Sequence, residues 1–330
     1  MKLSDIAQLA GVSLTTASYV INGKAEQRRI SAATVARVMA VVEAHGYQPD
    51  QRAAGLRRGA THTLGFLLPD LENPSYARLA KQLERRARAR GYQLLIACTD
   101  DNPDSERQLI ALFRARRCDG LFTASSLAED DAPYRQLQEH NIPIIAIDRQ
   151  LDPMQFCSVV SDDHAAGRQL AATLLTPDTH SIALIGARPD LVISRERAAG
   201  FAAALADHPA RHWERHAPHY SRDGGRAQAQ AMIDELGHWP EALLTTSYVL
   251  LQGVLDVLRD HPLAEGEDLR LATFGDTQLL DYLPFKVNAI SQQHEIITER
   301  ALELMLDALE NDQYLPGVRA IPRVLKRRLP

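Results

Sequence analysis

Cysteine is scarce in this chain: Cys98, Cys118 and Cys157 are the three among 330 residues. They are widely spaced and form no C-x-x-C, which argues against a disulfide framework or a zinc ribbon and fits a reducing cytosol. No apolar run approaches the roughly 18 residues that a membrane helix needs, so no membrane partner is expected. The opening Met1-Lys2-Leu3-Ser4-Asp5 lacks the apolar core of a secretory leader, which speaks against export. Also missing are G-x-S-x-G, a Walker loop and H-E-x-x-H, so neither a catalytic constellation nor a cofactor is expected. The low apolar content of a disordered chain is absent as well. Hydrophobic residues make up 45% and charged residues 24%, as in ordinary globular proteins, and the length suggests two or three domains.

What is there begins with an uneven charge. Residues 1–60 hold eight Lys/Arg against four Asp/Glu, and the remainder holds 29 against 38. A small basic head on an acidic body suggests that only the head meets a polyanion. In that head Ser4 is a candidate N-cap, followed by Ile6, Leu9 and Ala10 at helical spacing, with Gly11 placed to release the helix. Ser13 can cap a second helix that turns Ala17, Val20 and Ile21 inward and ends at Asn22-Gly23. The pair reads as a helix-turn-helix or as an ordinary helical hairpin. Favouring the former, the outer face carries Leu14, Thr15, Ser18 and Tyr19, with no acidic residue between Leu14 and Ile21. A third helix from Ser31 through 32–44, with Val35, Val38, Met39 and Val42 on one face, closes the core. His45-Gly46-Tyr47-Gln48-Pro49 stops it. The basic stretch 50–59 is too short for a stable helix alone, so it is either a linker or a helix that folds on its target.

From Thr63 the pattern turns to alternating strands and helices. Strands are predicted at 64–68, 93–98, 120–123 and 142–147, with helices at 75–90, 105–115 and 132–140. A second series follows Val159-Val160, with strands at 182–185, 242–246, 271–274 and 287–290. Its helices are expected near 162–174, 195–207, 226–236, 249–259 and 296–309. Such alternation implies parallel sheets covered on both faces, in two similar α/β lobes with a ligand cleft at the strand ends. His208, His212, His216 and His219 are considered as metal ligands, but Pro209 and Pro218 break the helix that their spacing needs, which leaves a solvated His-rich loop.

The motif Asp5-Ile6-Ala7-Gln8-Leu9-Ala10-Gly11-Val12-Ser13, then Thr16-Ala17-Ser18-Tyr19-Val20-Ile21-Asn22-Gly23, resembles the head of the lactose-repressor family. Tyr47-x-Pro49, Ala53-Ala54-x-Leu56 and Leu64-Gly65 continue that pattern, and the rest is similar to the family's periplasmic-binding-protein-like core. Asp70-Leu71-Glu72-Asn73, Tyr92 to Cys98 and Thr273-Phe274-Gly275-Asp276 resemble the family's fructose-responsive branch. Two departures stand out: Leu14 where that branch often has Arg, and Ser247-Tyr248 where many members have Asn-Asp.

The resemblance implies a helix-turn-helix domain at 1–48, a hinge at 49–61 and an effector-binding and dimerisation core at 62–330. The first lobe would hold about 62–160 and 292–318, the second about 161–291 and 319–330. It further implies a cytoplasmic regulator, not an enzyme: a homodimer, or a pair of dimers, on a palindromic double-stranded DNA operator. Leu14, Thr15 and Tyr19 would face base edges, and Ser13, Thr16 and Asn22 phosphates. Ala53 and Leu56 would belong to a hinge that kinks the minor groove. The cleft candidates are Asp70, Asp148, Arg149, Arg197, Ser247, Asp276 and Gln292, with Arg197 in the first turn of its helix. Carboxylates accept from sugar hydroxyls and Arg grips phosphate, so a phosphorylated sugar fits better than a neutral one. Fructose 1-phosphate is the leading candidate, with fructose 1,6-bisphosphate left open. The competing readings are a transport solute-binding protein and an enzyme acting on sugar phosphates.

Overall fold

The structure, a computed structural model, describes residues 1–47, 60–128, 130–265 and 268–329, and it divides after Thr61 into two compact units. The expected hinge, with Ala53 and Leu56, lies outside the described residues except for positions 60 and 61.

The first unit packs α1 (Leu3–Leu9), α2 (Leu14–Ile21) and α3 (Ala32–Ala44) around Ile6, Ala10, Val20 and Val38. The hydroxyls of Ser13 and Ser31 accept from the amides of Thr16 and Thr34, so both are N-caps. Gly11 takes φ +62°, the left-handed turn that lets α1 stop one turn before α2 begins. Three expectations need correction. Helix α1 starts from Lys2, whose amide donates to Asp5 Oδ2 at 2.8 Å, so Ser4 is inside the helix rather than its cap. Leu9 and Met39 are exposed, because the three-helix core is narrow and is already filled by the smaller neighbours.

The second unit holds two three-layer lobes. The first sheet is β11-β5-β4-β3-β1-β2, all parallel, from β1 (Thr63–Leu68), β2 (Gln93–Cys98), β3 (Gly120–Thr123), β4 (Ile144–Ile147), β5 (Cys157–Ser161) and β11 (Gly317–Ile321). Helices α4 (Pro74–Ala89) and α11 (His294–Glu310) cover one face, and α5 (Pro103–Ala115) and α6 (Ala132–Gln138) the other. The second sheet is β12-β10-β9-β8-β6-β7, from β6 (Ser181–Ala187), β7 (Arg211–Ala217), β8 (Ala242–Thr245), β9 (Arg270–Phe274), β10 (Val287–Ser291) and β12 (Val324–Lys326). Its faces carry α7 (Asp163–Ala172) with α8 (Val192–Leu205), and α9 (Arg222–Leu236) with α10 (Tyr248–Asp260). Only β12 runs antiparallel, against β10.

The stretch read as a His-rich loop is instead largely β7, which pairs along its whole length with β6. Trp213 turns toward the core with Arg211 stacked 4.8 Å from its ring, and period-two alternation outweighs the polar composition. The chain crosses between lobes at 161–163, 291–294 and 321–324. The third crossing falls later than the expected 318–319, because β11 stays paired with β5 through Ile321.

Candidate functional site

The C-terminal ends of strands from both sheets frame a cavity of about 420 Å³, within the range of small-molecule sites. All seven cleft candidates line it: Asp70, Asp148, Arg149, Arg197, Ser247, Asp276 and Gln292. They arrive there because β1, β4, β8 and β9 end at Leu68, Ile147, Thr245 and Phe274, and the chain turns into the cleft immediately after. Arg197 stands in the second turn of α8 rather than the first, since that helix starts at Val192.

Asp148 is the centre of the first-lobe floor. It sits at φ +69°, a left-handed position that turns its carboxylate inward. Tyr76 OH donates to its Oδ2 at 2.7 Å, and the Gln292 amide donates to its Oδ1. Gln292 is held in turn by Ser75, whose hydroxyl donates to Oε1 at 2.6 Å. That leaves His294 Nε2, 2.9 Å from the same Ser75 oxygen, to act as donor. Burial, then the Arg78 and Arg323 charges, push the His294 imidazole down to about 4, so it is neutral at physiological pH. Burial pushes the Tyr76 phenol well above its ordinary value.

Two pairs of arginines surround this floor; Arg149, Arg197 and Arg323 line the cavity, and Arg188 reaches Asp101 without lining it. Arg149 is buried and gives both terminal nitrogens to Asp101, at 2.5 and 3.3 Å. Arg188, from the second lobe, reaches the same Asp101 at 3.1 Å and donates to the Ser126 carbonyl at 3.0 Å. Burial opposes the Asp101 charge, but Arg149 and Arg188 outweigh it and hold the carboxyl below the usual carboxylate range. The other pair is Arg197 and Arg323. Arg197 Nε donates to Asp163 Oδ1 at 2.8 Å and Nη1 to the Thr246 carbonyl at 2.8 Å. Arg323 Nη2 stands 2.9 Å from the same Asp163 oxygen, off the angle of a hydrogen bond, and its Nε is buried without a hydrogen-bond partner among the described residues. Both guanidiniums lie over the Phe274 ring, at 4.7 and 5.2 Å. Burial and the neighbouring Arg197 charge push Arg323 below its ordinary value despite Asp163.

The rim is more solvated. Asp276 is tied to Arg328 at 2.6 Å, and its carbonyl accepts from Arg78 of the first lobe at 3.0 Å. Asp70 Oδ1 accepts from the Glu72 amide at 2.7 Å. Ser247 precedes α10, makes no side-chain cap and lines the cavity. Sequence reading missed Asp101, Asp163, Arg188, His294 and Arg323. The signal for Arg323 was legible: one charge between Ile321-Pro322 and Val324-Leu325, where an apolar crossing would be expected.

On the head, Ser13, Leu14, Thr15 and Asn22 are exposed, while Thr16 and Tyr19 are partly buried. Ser13 and Thr16 hydroxyls lie 2.8 Å apart, and Tyr19 carries Arg28 over its ring at 4.9 Å. The Asn22 amide donates back to the Ser18 carbonyl at 2.7 Å, holding the end of α2.

Residues 2–50 match the description "Bacterial regulatory proteins, lacI family", and residues 61–259 match "Periplasmic binding proteins and sugar binding domain of LacI family". The fructose operon regulatory protein of Vibrio cholerae is 47% identical, over 99% of this chain and 100% of its own. The catabolite repressor/activator of Escherichia coli is 45% identical, over 99% and 98%. Among solved structures, the Cra transcriptional dual regulator of Pseudomonas putida, in complex with fructose 1-phosphate, is 58% identical with a TM-score of 0.79. It covers 82% of this chain and 99% of that one. The lac repressor dimer bound to operator, 22% identical with a TM-score of 0.84, covers 99% of this chain and 98% of that one and shares the fold. Among the described residues no helix is long and apolar enough to cross a membrane. The chain belongs to the LacI family of bacterial regulatory proteins, as a DNA-binding, sugar-responsive regulator with a helix-turn-helix head and a periplasmic-binding-protein-like core.

Proposed function

We propose that this chain is a cytoplasmic, non-enzymatic repressor or dual regulator that binds a palindromic operator as a homodimer and is released by fructose 1-phosphate. The observation that carries the effector is the unequal charge around Asp163. Two buried guanidiniums, Arg197 and Arg323, share that one carboxylate, and Arg323 Nε has no hydrogen-bond partner among the described residues. A buried cation without full compensation is costly, and a phosphate supplies the missing charge and acceptors. Asp148 and the Ser247 hydroxyl would then take the sugar hydroxyls, with Asp70, Asp276, Arg149 and Gln292 completing the wall. The 58% identity to a regulator solved with that ligand supports the same assignment.

On DNA, Leu14, Thr15 and Tyr19 would meet base edges in the major groove, with Ser13, Thr16 and Asn22 on phosphates. Ala53 and Leu56 would form the minor-groove hinge, and a twofold dimer reads a palindrome because each head takes one half-site. Phosphate bound at Arg323 touches a crossing between the lobes, so it favours one lobe arrangement over the other and thereby lowers operator affinity.

The test is titration calorimetry of the full chain with fructose 1-phosphate, fructose 1,6-bisphosphate and fructose, followed by operator binding with and without the tightest ligand. Preferential binding of a sugar phosphate, release of operator, no turnover of the ligand and a dimer on sedimentation are expected. Equal affinity for fructose and its phosphate would overturn the effector assignment.

A further inference from the structure

The two arginine pairs at the cleft, Arg188 being the one member that does not line it, differ in how much of their charge is already met. Among the described residues, Arg197 and Arg323 are ion-paired to one carboxylate, Asp163. Around Arg149 and Arg188 there are two: Asp101, which takes both, and Asp190, which Arg188 holds at 2.6 Å. The donors there are also spent on backbone, since Arg149 Nη1 reaches the Ser125 carbonyl at 3.3 Å and Arg188 Nη2 the Ser126 carbonyl at 3.0 Å. Those carbonyls are fixed from behind by the buried Glu106, which accepts from Ser125 Oγ at 2.6 Å, Ser126 N at 2.7 Å and Tyr134 OH. Asp148 adds negative charge near both pairs, acting on Arg149 as well as on Arg197 and Arg323, so the difference between the pairs lies in the carboxylates bonded to them.

The aim of Asp101 is built into the backbone. Asp100 and Asp101 both take left-handed φ values, +53° and +54°, which side chains other than glycine rarely adopt. The turn is held by Thr99 and Asp100 amides on the Leu68 and Pro69 carbonyls, and by Asn102, which caps α5. Its result is a side chain only 11% exposed, pressed between one guanidinium from each lobe.

We infer that Asp101 is the specificity-determining residue that makes this cleft accept one phosphate and refuse two, by occupying Arg149 and Arg188 so that a second phosphate finds no free cation there. This rests on the reading of the cleft as a sugar-phosphate site. A bisphosphate seated through one phosphate on Arg197 and Arg323 would bring the other toward Asp101, which also lines the cavity and whose like charge repels it. In Asp101→Asn the neutral amide keeps the shape but leaves Arg149 and Arg188 one charge in excess.

Titration calorimetry of the full chain with fructose 1-phosphate and fructose 1,6-bisphosphate gives the ratio of the two dissociation constants. The parent should bind the bisphosphate at least tenfold more weakly; equal affinities in the parent overturn the inference without any variant. In Asp101→Asn the ratio should fall at least tenfold toward unity, and Asp101→Ser serves as the second variant if the first does not melt cooperatively. Arg188→Gln breaks the same cross-lobe contact while leaving Asp101 on Arg149, so its ratio should not fall. An unchanged ratio in a folded Asp101 variant, or an equal fall in Arg188→Gln, overturns the assignment. Failure of the parent to bind either phosphate would instead overturn the sugar-phosphate reading itself.

Discussion

Arg197 and Arg323 meet on a single atom: Asp163 Oδ1 lies 2.8 Å from Arg197 Nε and 2.9 Å from Arg323 Nη2. Asp163 closes the first crossing between the lobes and Arg323 lies in the third, so one carboxylate ties two crossings and a helix together. Removing it should be expensive, because two buried cations would face each other with no ion-paired carboxylate and only the Asp148 charge nearby. Asp163→Asn is expected to lose about 3–5 kcal/mol, the usual cost of breaking a buried pair from one side. Saturating fructose 1-phosphate should restore more of the melting temperature in the variant than it adds to the parent. A variant as stable as the parent would remove the charge argument.

Arg197→Ala should behave in the opposite way. Asp163 and Arg323 remain as a neutral pair, so stability should fall less than in Asp163→Asn, by the lost Thr246 hydrogen bond and Phe274 contact, while effector binding weakens by about 2–4 kcal/mol. Operator affinity without effector should stay near that of the parent, and the effector should no longer release the operator. Release at the parent's effector concentration, read by a gel shift, would place the anion elsewhere.

Arg197 also depends on how closely α7 and α8 pack. A Cβ on Gly167 would come within 2.6 Å of the Arg197 carbonyl, and one on Gly200 within 2.2 Å of the His164 carbonyl. Ala would favour an isolated helix by about 1 kcal/mol, yet Gly167→Ala should destabilise by about 1–3 kcal/mol as the helices are forced apart. Effector affinity should fall with stability, since the shift moves Arg197. Thermal melts and calorimetry on one sample check both; a more stable variant would show that propensity wins.

The parts legible in the sequence are those whose cause is local. Strands β2 and β3 are apolar runs and match the expected bounds, and Ser13 and Ser31 announce their helices by capping chemistry. Strand β7 was illegible because an edge strand of the second sheet needs few apolar residues, and Arg-His-Trp-Glu-Arg-His reads as loop. The seven cleft residues were placed by strand ends and family pattern. Their partners were not, because Asp101 beside Arg188, or Asp163 beside Arg323, is a consequence of three distant crossings that no local pattern encodes.

His294 gives the core a specific pH response. Its folded value of about 4 lies below the ordinary 6.5, so the folded state favours the neutral ring. That contribution is fully present above about pH 6.5 and is lost as pH falls toward 4, when the unfolded chain takes up a proton that the folded one does not. The loss should be on the order of 3 kcal/mol at most. Urea midpoints between pH 7 and 4 should therefore fall more steeply for the parent than for His294→Gln, whose amide can still donate to Ser75. Parallel curves would mean that the imidazole is not held neutral.

The two compact units on either side of Thr61 have separate cores. Ile6, Ala10, Val20 and Val38 close the head, whereas the lobes bury their own clusters on both faces of each sheet. A fragment of residues 62–330 should therefore fold without the head and bind fructose 1-phosphate within about twofold of the full chain, since every cleft residue lies beyond position 68. Operator binding should vanish, because the exposed face of α2 and the basic excess of residues 1–60 leave together, and with them the salt-dependent phosphate contacts. Within the full chain, Ser13→Ala should cost the head about 1 kcal/mol through the lost cap. It should weaken operator binding while leaving calorimetric effector affinity unchanged. A fragment that still shifts the operator specifically, or a cap variant that alters effector affinity, would contradict this division of labour.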